Sequence, residues 1–378
     1  MDKQIEHRGI LWGINEAAAD YHIERFERFL EQSPEAIRAA CVDDDGRLIH
    51  IARAEHFDRD FVTTICGTAH AARKLGKLSG NTFLSGLLPF KAALNFFKQP
   101  SSRTLTSFFR AEGILGMDRF NIQDITTSSQ FKGESDLDSL RTASSYADVV
   151  VARHPSVDFD LFGVYVANLC SRDFRYVNAG SGPGEHPTQG LLDTYTISES
   201  FGGELDNRSI AFVGDCLRGR TVHSLARILS LFDGTEIYFV APEEWQIDEG
   251  TKKYVTEKGV KVHQVTSGLK DIAPIVDVVY MTRIQNEHGG SGEYDPRFIF
   301  DQSTLDSMAA EAIEMHPLPK REELTPDLDY SGDSRLMHWR EMRNGMWTRV
   351  ALISYLFGVD DQIRSEYDRL ETAITRER

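Results

Sequence analysis

Short apolar runs alternate with amphipathic segments over most of the chain, and no other feature restricts the fold as strongly. The runs have the length and the β-branched or aromatic content of buried strands, and the segments between them have helical spacing. Strands are predicted for KAALNFF (91–97), ADVVVAR (147–153), YVNAG (176–180), SIAFVGD (209–215), EIYFVAP (236–242) and VDVVYMTR (276–283). Helices are predicted for LTSFFRAEGILG, HPTQGLLDTYTISESFG and TVHSLARILSLFDG. This order predicts an α/β fold with helices on both faces of parallel sheets.

Chain length indicates more than one domain. The chain has 378 residues, and single hydrophobic cores stop growing at roughly 250–300 residues. Because one cluster of strands ends near Gly180 and the next begins at Ser209, the helix over 187–201 is expected to connect two doubly wound parallel-sheet domains. The predicted parts are an N-terminal helical extension (1–45), a first domain (46–195) completed by a C-terminal helix (345–378), and a second domain (196–344).

Charge and cysteine content limit the partners and the compartment. Lys and Arg number 42 against 58 Asp and Glu, a net charge of −16, which argues against nucleic acid or an anionic membrane as partner. The four cysteines show no CxxC spacing and lie in apolar segments, so we expect reduced, buried thiols and a cytoplasmic location. The N-terminus lacks the apolar region of a signal peptide, and no apolar stretch has transmembrane length.

The run QPSSRTLTSFFR, 99–110, carries more hydroxyls than a helix cap needs. It joins a predicted strand to a predicted helix, and the N–H groups of such a helix favour an anion at the carboxyl edge of the sheet. Ser101, Ser102, Arg103 and Thr104 would add charge-assisted hydrogen bonds to that anion. An ordinary surface cap with a solvated arginine is the alternative.

Other polar residues of the first domain stand at neighbouring turns. Arg153 closes a predicted strand, where it serves as a ligand or as a salt-bridge partner. The glycine- and proline-rich loop NAGSGPGEHPTQG places His186 and Gln189 at the mouth of a helix, whose dipole favours a neutral imidazole that offers an N–H to a carbonyl oxygen. A hydrogen bond that only supports the helix start is the alternative for His186. Lys132, in the loop SSQFKGES, has the character of a solvated side chain when taken alone.

The second domain repeats the strand-to-helix arrangement. GDCLRGRTVHSL places Arg220 and Thr221 at a helix start, and YMTRIQNE ends a strand with Arg283 and Gln285. Two arginines at the strand ends of one sheet suit a dicarboxylate, because guanidinium groups bind carboxylates bidentately. The turn in EMHPLPKREE, 314–323, could offer backbone carbonyls to a small ligand, although such a turn is ordinary by itself.

Taken in order, these motifs resemble those of aspartate carbamoyltransferase catalytic chains, within the aspartate/ornithine carbamoyltransferase superfamily. SSRTLTSF resembles the family's carbamoyl-phosphate signature, and HPTQGLLD, GRTVHSL, YMTRIQ and HPLP follow in the family's order. The resemblance covers 50–355. It implies two doubly wound α/β domains, the first for carbamoyl phosphate and the second for aspartate, with the active site in the cleft.

The resemblance also implies a role for each motif residue. The catalytic residues would be Arg103, Thr104, Lys132, Arg153 and His186. Carbamoyl phosphate would be bound by these and by Ser101, Ser102, Ser128, Gln189, Pro317 and Leu318. Aspartate would be bound by Lys132, Arg220, Thr221, Arg283, Gln285 and Leu318.

The implied reaction is transfer of the carbamoyl group to the α-amine of L-aspartate, a step of pyrimidine biosynthesis, without cofactor, metal or covalent nucleophile. The loop with Ser128 and Lys132 would reach the site of a neighbouring subunit, so a homotrimer is expected. The resemblance leaves open whether a regulatory chain or a dihydroorotase associates with the protein.

Two alternatives remain at this point. One is a carbamoyltransferase for another amine such as ornithine, although that subgroup usually has Cys in place of Pro317. The other is a catalytically silent assembly subunit. The sequence also departs from the family: Ser102 replaces a Thr, Leu105 replaces a commonly charged residue, the 286–292 loop is Gly-rich, and MHWREMRNG (337–345) differs from the usual wording.

Overall fold

The computed structural model of the chain describes residues 16–78, 82–123, 134–182, 184–284 and 294–376. These residues form two compact units. Unit 1 takes the described residues of Met1–His56, Thr68–Thr188 and Arg349–Arg378, and unit 2 those of Phe57–Gly67 and Gln189–Thr348. The strands are β1 (His50–Ile51), β2 (Ala92–Phe97), β3 (Asp118–Ile122), β4 (Val149–His154), β5 (Arg175–Ser181), β6 (Ser209–Val213), β7 (Glu236–Val240), β8 (Lys261–Val265), β9 (Val278–Met281) and β10 (Ile313–Met315). The α-helices are α1 (Glu16–Leu30), α2 (Pro34–Ala39), α3 (Arg59–Leu75), α4 (Ser102–Ile114), α5 (Asp136–Ser144), α6 (Phe159–Leu169), α7 (Pro187–Ser200), α8 (Arg220–Leu229), α9 (Glu249–Glu257), α10 (Gln302–Ser307), α11 (His338–Leu356) and α12 (Asp360–Arg376).

Each unit contains one five-stranded parallel sheet. The order is β1-β5-β4-β2-β3 in unit 1 and β10-β9-β6-β7-β8 in unit 2. Every residue of the central strand β4 is buried, as expected of a parallel strand covered on both faces. The carboxyl ends of these parallel strands lie along one edge of each sheet, which is the usual ligand-binding edge of open α/β sheets. The predicted fold class is confirmed.

All six predicted strands are present, and the two sheets hold four further strands. β3 was not predicted because all five of its residues are exposed, so its sequence, DRFNI, contains no apolar run. β8, KVHQV, is an exposed edge strand with the same polar character. β1 and β10 have only two and three residues, which is too short for a period to be read.

The terminal segments are helical, with one difference from prediction. Helix α1 packs on α6, where the Phe26 ring contacts Phe162 edge-on at 5.3 Å between centroids. The N-terminal extension therefore shares a core with unit 1. The segment predicted as one C-terminal helix over 345–378 forms two helices, α11 and α12, because the chain turns at Gly358, whose φ of +67° favours glycine.

The cysteines are all free thiols. Cys41, Cys66 and Cys216 are buried, as predicted, while Cys170 at the end of α6 is partly exposed. None of the helices in the described ranges is both long and apolar enough to cross a membrane.

One buried carboxyl group joins helix α4 to the sheet of unit 1. Glu112 of α4 is buried, and the Asn95 Nδ2 of β2 donates to both of its carboxyl oxygens, at 3.0 and 2.9 Å. Burial raises the pKa of Glu112 to about 7, against the lowering effect of Asn95. The folded state therefore holds a proton on Glu112 that the unfolded chain has already lost between about pH 4.5 and pH 7.

This proton makes stability depend on pH. Since the folded state binds more protons in that window, the free energy of unfolding falls as pH rises through it and is flat above. We expect E112Q to lose this dependence. In urea unfolding, the free energy of unfolding should fall between pH 5 and pH 8 by about 2 kcal/mol more in wild type than in E112Q. An identical pH profile in E112Q would show that Glu112 is ionised in the folded protein.

Candidate active site

The turn between β2 and α4 leaves the start of that helix open to a ligand. Ser101 is the N-cap residue, yet its side chain makes no capping hydrogen bond; its hydroxyl lies 3.0 Å from the Thr104 Oγ1 and donates to it. Other helices of the chain are capped by a side chain that accepts an N–H of the first turn: α2 by Ser33, α5 by Ser135, α9 by Asp248 and α10 by Asp301. The hydroxyl run 101–104 therefore differs from an ordinary cap, and the helix N–H groups keep their capacity for an anion.

A buried imidazole stands against the same turn. The His186 Nε2 lies 3.5 Å from the Thr104 Oγ1, and its Nδ1 lies 3.3 Å from the Thr188 Oγ1. His186 and Thr104 are 4% and 6% exposed, so water does not compete freely for their polar atoms. A neutral ring can accept at one nitrogen and donate at the other, which matches two hydroxyl neighbours. Thr104 and His186 thus form one polar surface at the carboxyl edge of the sheet.

Arg153 stands beside this surface at the end of the central strand. Its backbone carbonyl accepts the N–H groups of Lys98 and Gln99, at 2.9 and 3.3 Å, which fixes the turn after β2 next to β4. Its guanidinium is buried and donates from Nη1 to the Ala179 carbonyl at 3.0 Å. This contact fixes a buried guanidinium at the carboxyl edge of the sheet, where an arginine can bind an anionic ligand through charge-assisted hydrogen bonds.

The remaining predicted residues of unit 1 divide into two groups. Ser102 and Arg103 lie in the first turn of α4 with exposed side chains, one residue from the buried Thr104. The structure thus brings Ser101, Thr104 and His186 into contact and places the Arg103 backbone beside them. Ser128 and Lys132 lie outside the described residues.

In unit 2 the ends of β6 and β9 meet closely. Thr282 donates both its N–H and its hydroxyl to the Val213 carbonyl, each at 2.8 Å. Gly214 follows with φ +108°, and a Cβ there would lie 2.3 Å from the Thr282 oxygen, so only glycine fits. This contact sets the loop that starts α8 beside the strand end that carries Arg283.

The predicted aspartate ligands lie at this edge of unit 2. Arg220 and Thr221 form the first turn of α8, whose N-cap is Gly219 without a capping side chain. The Thr221 side chain hydrogen-bonds the Tyr280 phenol of β9. Arg283 is partly exposed, and its Nη1 donates to the Ile284 carbonyl at 2.9 Å. Gln285, the next predicted ligand, lies outside the described residues.

A hydrogen-bonded network that sequence reasoning missed surrounds Gln189. The Gln189 Nε2 donates to the Asp193 Oδ1 at 2.9 Å and lies 3.4 Å from the Glu341 Oε1. The other Asp193 oxygen accepts the Tyr280 hydroxyl at 2.8 Å. The other Glu341 oxygen accepts the His316 backbone N–H at 3.0 Å. Glu341 therefore links Gln189 to the turn that carries Pro317 and Leu318.

His316 shapes that turn. Its Nδ1 accepts the Leu318 N–H at 2.8 Å, and its Nε2 lies 2.8 Å from the Glu323 Oε1. Leu318 has a φ of +56°, a conformation that is unusual for a residue with a Cβ. The shape of this turn therefore depends on a buried histidine and not on the prolines alone. Its backbone groups are ordered by the contacts of the His316 ring.

The sequence held one signal for Glu341. Glu341, Asn344 and Thr348 are all buried and recur at intervals of three and four residues, which is one face of α11. A row that is mostly polar at helical spacing predicts a buried hydrogen-bonded face. Glu341 lies in the segment 337–345, whose sequence differs from that of the family, so the resemblance assigned no role to it.

Two buried carboxyl groups of this network neighbour the same Gln189 amide. Burial raises the pKa of Glu341 well above its usual range, and the neighbouring Asp193 carboxyl raises it further. A raised pKa favours the protonated form of Glu341, which can donate a hydrogen bond to a carboxylate neighbour such as Asp193. Within the described part of the chain, no group of three or more His, Cys, Asp or Glu side chains is placed to hold a metal ion.

Two parallel α/β units with hydroxyl, imidazole and arginine groups at their strand ends define a class of two-unit α/β proteins that bind anionic ligands. Residues 50–199 match the family model described as aspartate/ornithine carbamoyltransferase, carbamoyl-P binding domain. Residues 206–356 match the aspartate/ornithine carbamoyltransferase, Asp/Orn binding domain. The chain belongs to the aspartate/ornithine carbamoyltransferase family.

Individual relatives are named for the aspartate branch of the family. The chain is 38% identical over 316 residues to the chloroplastic aspartate carbamoyltransferase of Arabidopsis thaliana, covering 82% of this chain and 78% of the relative. It is 35% identical over 317 residues to the aspartate carbamoyltransferase catalytic subunit of Methanocella arvoryzae, covering 82% and 98%. The crystal structure of Trypanosoma cruzi aspartate transcarbamoylase with carbamoyl aspartate and phosphate superposes with a TM-score of 0.72 at 34% identity, covering 80% of this chain and 94% of that chain.

Proposed function

We propose that this protein is an aspartate carbamoyltransferase of pyrimidine biosynthesis, which transfers the carbamoyl group of carbamoyl phosphate to the α-amine of L-aspartate. The products are N-carbamoyl-L-aspartate and phosphate. The observation that carries the proposal is the contact of Ser101, Thr104 and His186 at the open start of α4. Hydroxyl, imidazole and helix N–H groups at one strand end suit a phosphate that is bonded to a carbonyl.

The chemistry assigns a task to each group. The neutral amine attacks the carbamoyl carbon, the carbonyl becomes a tetrahedral oxyanion, and the C–O bond to phosphate then breaks. Thr104, His186, Arg153 and Arg103 stabilise the oxyanion, and Arg103 also holds the phosphate together with Ser101 and Ser102. The departing phosphate takes the proton that the amine loses, so a separate general base has little to do. Gln189 and the turn at 317–318 hold the carbamoyl amide.

Aspartate rather than ornithine is the proposed acceptor. Arg220 and Arg283 stand at strand-end turns of unit 2, and two cations favour a dicarboxylate over an amine that carries its own positive charge. Pure protein should form carbamoyl-aspartate and no citrulline when offered aspartate and ornithine in turn. Faster turnover of ornithine would overturn the choice of acceptor.

Arg283 offers a direct mutational test. We expect R283A to raise the KM for aspartate roughly 30- to 100-fold, because a bidentate guanidinium–carboxylate contact is lost, with little change in the KM for carbamoyl phosphate. R297A is the control, since Arg297 is an exposed arginine of the same unit that pairs with Asp295. Equal KM values for aspartate in R283A and wild type would contradict the assignment.

We also propose a homotrimer in which Ser128 and Lys132 complete the site of a neighbouring subunit. The support is the resemblance of their loop to that of the family. Mixing K132A and H186A proteins after mild dissociation should restore part of the activity, because some sites in the hybrid receive both intact residues. A monomeric native mass at assay concentration, or no recovery on mixing, would contradict a shared site.

A cytoplasmic location is proposed from the four free thiols, which suit a reducing compartment. The Arabidopsis relative is named chloroplastic, so cell fractionation is the test, and recovery in an organelle would overturn the proposal. The resemblance leaves open a regulatory chain or a dihydroorotase as partner, and co-purification from the native source decides between such a complex and a homo-oligomer alone.

A further inference from the structure

Gln189 and the 316–318 turn are the two groups proposed to hold the carbamoyl amide, and Glu341 touches both. Its Oε1 lies 3.4 Å from the Gln189 Nε2, and its Oε2 accepts the His316 N–H at 3.0 Å. Its side chain is completely buried. These contacts lie within unit 2 and involve no other residue as an intermediate.

The network fixes which end of the Gln189 amide is available. Both carboxyl groups that neighbour Gln189 are approached by its Nε2, at 2.9 Å for Asp193 and 3.4 Å for Glu341. Because the NH₂ end is engaged by these oxygens, the carbonyl Oε1 is left to accept a hydrogen bond. A carbonyl acceptor is what the NH₂ group of a carbamoyl ligand requires.

The same network fixes the turn. The His316 N–H is held by Glu341, and the His316 ring in turn accepts the Leu318 N–H. With these N–H groups engaged inside the protein, the turn is held in one shape, and its carbonyl groups keep a fixed direction. Two acceptors are thus oriented together by one buried carboxyl group.

We propose that Glu341, through its contacts with Gln189 and the His316 N–H, is a positioning residue that holds Gln189 and the 316–318 turn in the orientation that selects a carbamoyl group over other acyl groups. This inference rests on the proposed function. It assigns the choice of NH₂ over a methyl group to a residue that does not touch the substrate.

Other charged and titratable groups surround Glu341. Asp193 of α7 and Glu314 of β10 both disfavour its ionised form, and Tyr280 of β9 donates to Asp193. Glu314 is itself engaged by His338, 2.7 Å from its Nδ1. The protonated form of Glu341 is consistent with these surroundings. Loss of its proton at high pH would place two negative charges beside Gln189.

The test compares carbamoyl phosphate with acetyl phosphate, which has a methyl group in place of NH₂. Dissociation constants for both are measured by calorimetry on the full-length protein. In wild type we expect a clear preference for carbamoyl phosphate. In E341A the preference should shrink about 10-fold or more, because the acceptors lose their orientation, while acetyl phosphate binds as before.

The variant E341Q tests whether the hydrogen bonds of the Glu341 side chain or its charge determine the preference. Its amide can donate to Asp193 and accept the His316 N–H, as a protonated carboxyl group does, so we expect the preference to be kept within about 3-fold. Loss of the Glu341 proton at alkaline pH should weaken the preference in wild type, and we expect no such change in E341Q. E112Q is the matched control, because Glu112 is another buried carboxyl group, contacts Asn95 of unit 1, and is expected to leave the preference unchanged.

The outcomes are decisive in both directions. A preference in E341A equal to that of wild type, or an equal loss of affinity for both ligands, would overturn the proposal. If E341A does not fold, E341M takes its place, because methionine has a similar length and cannot make these hydrogen bonds; a preference in E341M equal to that of wild type would overturn the proposal. Because the readout is binding, absence of turnover in wild type would count against the proposed function and leave this test intact.

Discussion

Replacing Arg103 by alanine is expected to lower kcat/KM by roughly 10³- to 10⁴-fold. Arg103 lies in the first turn of α4, next to Thr104, and in the proposed mechanism it serves both the phosphate and the carbonyl oxygen. Loss of one oxyanion donor costs on the order of 10²–10³ in turnover, and Arg103 serves two developing charges, so its removal should cost more. Steady-state kinetics with saturating aspartate gives the value.

Two further variants define the origin of this loss. R103K should recover little, because an ammonium group is a point charge that cannot bind phosphate and carbonyl oxygen as a planar fork does. R110A is the control, since Arg110 is an exposed arginine of the same helix, and we expect less than about 2-fold change there. Since the Arg103 side chain is exposed, thermal stability should be unchanged. R103A activity within 10-fold of wild type would contradict the assigned role.

Replacing His186 by alanine is expected to lower kcat about 10²- to 10³-fold with a smaller change in the KM for carbamoyl phosphate. The imidazole lies against Thr104 and Thr188, and its N–H is proposed to stabilise charge that develops only in the transition state. Interactions of that kind act on kcat. H186Q keeps a neutral donor at similar reach and should recover part of the loss.

The control for His186 is a second buried histidine. His50 of β1 accepts the Tyr176 N–H at 3.1 Å, and burial lowers its pKa to about 4. H50Q should lower stability and leave kcat unchanged, because its ring accepts a backbone N–H of the neighbouring strand β5 in unit 1. If H186A and H50Q lowered stability alike and neither changed kcat, His186 would be a structural residue.

Local pattern was enough to place most of the candidate site. The strands carry continuous apolar runs, and the polar residues 101–104, Arg153 and His186 follow them directly, so their place at the sheet edge could be read from order alone. Site residues that directly follow a strand in the sequence could therefore be predicted. Ser101 makes no capping hydrogen bond, and this distinguishes a ligand-binding turn from an ordinary cap. Only the three-dimensional structure shows it.

The rest depends on contacts between distant parts of the chain. Gln189 and Glu341 are 152 residues apart, and no local pattern relates them. In the sequence, His316 is only a neighbour of the proline turn. Its contacts with Glu323 and Glu341 form only in the folded protein, so the sequence did not indicate its role. Strands β3 and β8 were missed for a related reason, since their exposed residues carry no apolar signal.

The central claim is that this chain moves a carbamoyl group from phosphate to aspartate. The most direct measurement uses carbamoyl phosphate labelled with ¹³C at the carbonyl, and follows label and phosphate together by NMR with pure protein and aspartate. We expect the label to appear in N-carbamoyl-aspartate in an amount equal to that of the phosphate released. We also expect H186A to slow label transfer and phosphate release equally. Label released as bicarbonate, or bound carbamoyl phosphate that is never turned over, would contradict it.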